Sequence, residues 1–252
     1  MKEVNFSEEE LKRITPQYLL EEKDKDEVAD FFLVLSVFYN DLKSLMFYHM
    51  QIDGIFEKLG LGGSQPNVSV VSGEYGGMKN HLERMIVGTV FEFFEFIKTN
   101  QKILKPPTFR EVYNKLDKDR RFGWDVLIEI AINKTSKKDI SAFSKILLII
   151  QNNLAFHYSQ GAKMLRQGYV RFFYEEPSDE ANQHAYYALG KTMGNSRFFY
   201  ADAAATASFR VQVEKEMSYS EFMKEFRDVI DAANFAIMRL LEIYLAKRRN
   251  RQ

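Results

Sequence analysis

The chain has 252 residues, 46% of them hydrophobic, enough to bury a substantial core without disulfide or metal staples. Its 35 lysines plus arginines balance 35 aspartates plus glutamates, so no global field draws it to nucleic acid or to an anionic membrane, and any polyanion site must be local. The lack of cysteine excludes disulfides, thiolate nucleophiles, thiolate zinc sites and iron–sulfur ligation together.

In chain order, residues 1–25 form a polar leader with a minor helix near Ser7 to Arg13; its start, "MKEVNFSEEEL", is charged where a secretory signal needs an apolar stretch. Apolar runs such as "FFLVLSVFY" are too short to cross a bilayer, so a cytoplasmic protein without membrane contact is expected. Val28, Phe31, Leu35, Phe38, Leu42, Leu45, His49, Ile52, Phe56 and Leu59 recur at steps of three and four, the seam of a helix roughly 48 Å long. Gly60 suits a left-handed cap there. Residues 61–77, rich in Gly, Ser, Asn and Pro, lack a helical period and are expected to be a mobile loop.

A second stripe from Met78 through Leu82, Met85, Ile86, Val90, Phe93 and Ile97 is stopped near Leu104 by "LKPPTF". Shorter helices follow at 108–117, with Thr108 and Glu111 as a capping box, and at 122–133, where Trp124, Leu127, Ile128 and Ile132 share a face. A long helix over 138–168 carries Ile140, Phe143, Leu147, Ile150, Leu154, His157, Gly161 and Leu165; further helices are expected at 178–192, 197–216 and from Ser220 to about Lys247. The expected fold is a single all-α domain over 1–252, a bundle of about four long helices with shorter accessory helices.

Within "LLIIQNNLAFHYSQG", residues 147–161, Asn153 and Gly161 sit about 40° to either side of His157 on an unbroken helix, so the three form one column. Gly161 lets a neighbouring helix approach the imidazole. Spacing alone is met by a core histidine hydrogen-bonded across the bundle as well as by a catalytic one.

"QNNLAFH" resembles the signature of the HEPN superfamily of helical proteins, many of them metal-independent ribonucleases: an arginine, a polar residue, then four to six positions ending in histidine. Asn152 and His157 match that pattern and Gln151 stands where the arginine belongs. "FHYSQGAKMLRQGY" and "RFFYADAAATASF" are similar to the abortive-infection branch, so the resemblance covers about 138–216. It implies a homodimer whose motif helices meet at a cleft, RNA as substrate, a toxin or phage-defence role, and control by an antitoxin or other regulator.

In that chemistry the histidine takes or gives the proton of a ribose hydroxyl while arginine forks onto the phosphate. His157, Asn152 and Gln151 are then the catalytic candidates, with Asn153 and Tyr158 as substrate contacts; the regulatory tyrosine of some members falls where this chain has Ser159. Gln151 brings no charge, so the activity is weak or absent unless another cation substitutes. On the same helix Arg166 projects about 180° away and Arg171 sits about 21 Å along the axis, which leaves Arg84, Arg197 and Arg210 on other segments. The rival reading is a non-catalytic helical dimerisation or interaction module in which the polar column sets register.

Other patterns are weaker. His49 with Asp53, and Glu180 with His184, have the four-residue spacing of a ligand pair, but the Glu-x-x-His repeat of a di-metal bundle does not occur. Glu92 and Glu95 read as solvent-facing positions of an amphipathic helix. "ALGKTMGN" has Ala185 where a phosphate loop needs its first glycine. The basic end "AKRRNRQ" offsets a helix dipole. Neither a cofactor nor a metal is expected.

Overall fold

A computed structural model describes residues 12–19, 26–61, 69–133, 141–152, 158–175 and 183–250. Among them the chain is 83% helical and strand-free, the all-α architecture that its periodicity implies. The helices are α1 (Pro16–Leu19), α2 (Glu27–Lys58), α3 (Val70–Thr99), α4 (Pro107–Tyr113), α5 (Lys118–Asn133), α6 (Ala142–Ile150), α7 (Tyr158–Val170), α8 (Phe199–Glu214) and α9 (Tyr219–Arg249). Single-turn 3-10 segments lie at Gln101–Leu104 and Met193–Asn195, and a π turn at Arg171–Glu175.

By packing, the chain divides into two compact units. The first comprises Met1–Asp41, Phe93–Ile132 and Asp228–Gln252. Its core is aromatic: Phe32 stacks on Tyr244 with centroids 4.0 Å apart, Phe31 on Phe96 at 5.0 Å, and Phe109 tilts against Trp124 at 6.1 Å. Asp26 opens α2 by accepting the Ala29 amide at 3.0 Å, and its other oxygen accepts from Arg248 near the end of α9. Lys247 pairs with Glu111, so part of the basic terminus is tied into the fold.

The second unit comprises Leu42–Glu92 and Asn133–Arg227. Phe222 stacks on Phe226 at 5.7 Å and tilts against Phe143 of α6 at 5.5 Å. α7 and α8 meet backbone to backbone, since a Cβ on Gly168 would strike the Ala204 carbonyl and the Ser208 amide. The Ser208 hydroxyl donates to the Met164 carbonyl at 2.9 Å across this contact.

Helix ends follow local chemistry. Gly60, at φ +67°, closes α2 with bonds from Leu61 N–H to Phe56 O and from Gly60 N–H to Glu57 O, the pattern of a Schellman cap. Ser141 accepts the Ser144 amide to start α6. Ser218 and Glu221 exchange side-chain bonds with each other's amides at the head of α9, a capping box that places the helix start at Tyr219.

Several expectations need correction. The loop expected over 61–77 gives way to helix at Val70, because Ser69 and Ser72 cap reciprocally and the glycines beyond serve close packing. A Cβ on Gly73 would lie 2.5 Å from the Phe199 ring, and one on Gly77 would strike Arg197. The Thr108–Glu111 box does not form, since Pro107 takes the first helical position and the helix ends at Tyr113. Residues 184–192 are not helical: Ala188 pairs with Arg197 as an isolated antiparallel bridge, and the Gly190 amide bonds to the Ser196 hydroxyl, where a Cβ on Gly190 would strike Asn195. The rest of that expected helix, and the minor helix before Lys12, lie outside the described residues. Lys12 and Arg13 are not helical. By length and composition alone α2 is long and apolar enough to cross a membrane, with an 18-residue stretch of mean hydropathy 1.2 that is 22% buried.

Two glycines of the second unit should respond oppositely to alanine. Gly168→Ala should cost about 3 kcal/mol because backbone atoms cannot yield, whereas Gly54→Ala on the open surface of α2, with nothing within 4 Å, should gain roughly 0.5–1 kcal/mol; urea melts read both. For Asp26, burial opposes ionisation, but the Arg248 bond and the Ala29 amide outweigh it and hold the carboxyl below its ordinary 3.8. A lowered folded-state value gives stability that is full above the unfolded value and lost as pH falls through the folded one. The stability gap between wild type and Asp26→Asn, a variant that keeps the cap, should therefore close below about pH 4, as thermal melts across pH would show.

Candidate functional site

The motif region starts from α6, whose buried face carries Phe143, Ile146, Leu147 and Ile150. One residue beyond, Gln151 points inward at 7% exposure. A buried carboxamide needs a partner, and it finds one on α3: Gln151 Nε2 donates to Glu92 Oε1 at 3.0 Å. Glu92 keeps the solvent exposure that its position on an amphipathic helix implies, yet turns a carboxylate oxygen to this bond.

Residues 151 and 152 form a π turn, so the long expected helix is not one regular α-helix. Asn152 is half-buried on this turn. Asn153 and His157 lie outside the described residues, as does the side chain of Tyr158, whose backbone opens α7.

The three substitute cations are all placed. Arg197 donates from Nη1 to Glu74 Oε1 and from Nε to Asp202 Oδ2, each at 2.8 Å, with its guanidinium over Gly77. Burial disfavours its charge, but the two carboxylates raise its pKa further above an already high value. Arg84 lies half-buried on α3, within electrostatic reach of His81. Arg210 stacks its guanidinium over Tyr219, 5.2 Å from the ring centroid. Burial and Glu83 raise the pKa of that phenol, which Arg210 partly offsets.

Arg84, Arg197 and Asp202 lie within electrostatic reach of His81, an exposed histidine that sequence spacing does not single out. Burial, then Arg84 and Arg197, hold the His81 imidazole below its ordinary 6.5, while Asp202 opposes them. An imidazole and two guanidiniums within electrostatic reach of one another are the group types that proton transfer beside an anion uses. Two carboxylates already occupy Arg197, however, and repel a phosphate at the same place. His49 and Asp53 do not share a ligand position. His49 Nε2 lies 3.4 Å from Glu83 Oε1, while Asp53 accepts from Lys79 at 2.5 Å. Glu180, the partner suggested for His184, is outside the described residues.

No protein-family model, curated protein or solved structure matches the chain.

The amide–carboxylate pair is directly testable. Gln151→Leu and Glu92→Leu in a double-mutant cycle should give a coupling of about 1 kcal/mol in chemical melts, as a bond with one charged, exposed member does. Gln151→Arg should be tolerated within about 1 kcal/mol because Glu92 supplies a ready counter-charge.

Proposed function

We propose that this chain is a non-catalytic helical interaction module, HEPN-like in its scaffold, acting in the cytoplasm as a homodimer. One observation carries the reading: two of the groups that would hold RNA are spent inside the fold, Gln151 on Glu92 and Arg197 on Glu74 and Asp202. A phosphate brought to either place would displace a carboxylate or sit against one. Polar pairs of this kind select one helix pairing over others, because a slipped register leaves a buried amide or guanidinium unpaired. Leu33, Val34 and Val37 are exposed together on α2 and offer apolar surface to a second copy.

The ribonuclease reading retains one supporting feature, the π turn at 151–152, a distortion frequent at functional sites. Cleavage of structured RNA by wild type and His157→Ala, at matched folding and oligomeric state, separates the two readings. The expected result is no cleavage in either. Cleavage that disappears in His157→Ala would replace the module with a degenerate nuclease, in which Gln151→Arg should raise the rate by on the order of 10². Light scattering tests the pairing: wild type should have twice the mass of the chain, Val34→Asp/Val37→Asp should lower it, and a monomeric wild type would overturn the dimer.

A further inference from the structure

Residues 186–200 form a tightly bonded loop. Ala188 and Arg197 exchange both backbone bonds, at 2.8 and 2.9 Å, and the Tyr200 amide reaches the Tyr186 carbonyl at 3.1 Å. At the tip the Ser196 hydroxyl accepts the Gly190 amide and donates to the Thr192 carbonyl, both at 3.0 Å, while the Asn195 and Ser196 amides bond back to Thr192 and Met193. The base is held by Arg197 between Glu74 and Asp202.

This bonding closes the loop and presents apolar side chains outward. Leu189 is 69% exposed and Met193 92%, and every residue from 189 to 195 is exposed. Tyr187 and Phe198 are exposed behind them, next to the paired residues. From Gln183 to Ala201 the sequence has no carboxylate, while Lys191 sits between the two apolar side chains. The neighbouring acids Glu74 and Asp202 both pair with Arg197 at the base of the loop, away from its tip.

We propose that this loop is a membrane-contact tip, Leu189 and Met193 entering the outer edge of a lipid layer with Lys191 against anionic headgroups. Two properties favour lipid over a protein groove. The surface is an exposed tip, not a concave one. Its composition, apolar at the end, a lysine able to reach headgroups, aromatic rings behind and no acid, is that of interfacial segments. Two side chains make a weak, reversible contact that depends on anionic lipid and weakens with salt. The inference is independent of the module reading: the two share only the Arg197, Glu74 and Asp202 anchor, and Leu189, Lys191 and Met193 have no part in that reading.

The test uses the full chain and vesicles of phosphatidylcholine with or without phosphatidylserine. The single native tryptophan, Trp124, is buried, so Met193→Trp adds a solvent-exposed reporter. Its emission should shift to the blue with phosphatidylserine vesicles, and less at high salt or with phosphatidylcholine alone. Co-sedimentation of the native chain should fall by about tenfold or more in Leu189→Ser/Met193→Ser, with an unchanged circular dichroism spectrum because both side chains lie outside the core. Three results would overturn the proposal: no shift with either vesicle, equal sedimentation of wild type and the double variant, or a shift that grows with protein concentration without lipid. The last would make a second copy the occupant.

Discussion

The contact at Gly168, where α7 and α8 touch without a side chain between them, is the constraint on which the second unit rests. At that separation the Ser208 hydroxyl reaches the Met164 carbonyl, and Gln212 comes within 3.4 Å of Gln167. The same α8 carries Asp202, which holds Arg197, and Phe209, which packs edge-on against Phe222 at the start of α9. A helix pair forced apart at one glycine would shift all of these together.

Much of the architecture is legible in sequence because apolar period and helix stops are local properties. The seam from Val28 to Leu59 reproduces α2 to within a residue at each end, and Gly60 takes the left-handed conformation that its place suggests. The failures share a cause. Gly73 and Gly77 read as loop residues, yet they are helical because a phenylalanine and an arginine distant in sequence need their space. The helical expectation for 178–192 fails over 184–192, where Ala188 bridges to Arg197 and the Gly190 amide bonds to the Ser196 hydroxyl, partners that lie beyond that stretch. Glycine alone does not tell a turn from a close approach.

The candidate site was less legible still. The signature-like "QNNLAFH" identifies an interesting stretch, but what Gln151 does depends on Glu92, 59 positions away, and no local pattern joins them. His81 had no motif around it; only the approach of Arg84 on its own helix and of Arg197 from the loop makes it chemically unusual. Arg197, singled out as a spare cation, turns out to be the most thoroughly neutralised of the candidates, which isolated spacing could not reveal.

Arg197 also joins the main-chain bridge to the side-chain ion pairs, so each arm of the loop is fastened separately: Ala188 through its backbone, and the start of α8 through Asp202. A protease that nicked the protruding end would find small, accessible residues between Gly190 and Asn195, yet the severed ends would stay stapled to each other and to α3. Such a cut should release no fragment under native conditions, leaving a chain in two pieces that still migrates as one particle until it is denatured.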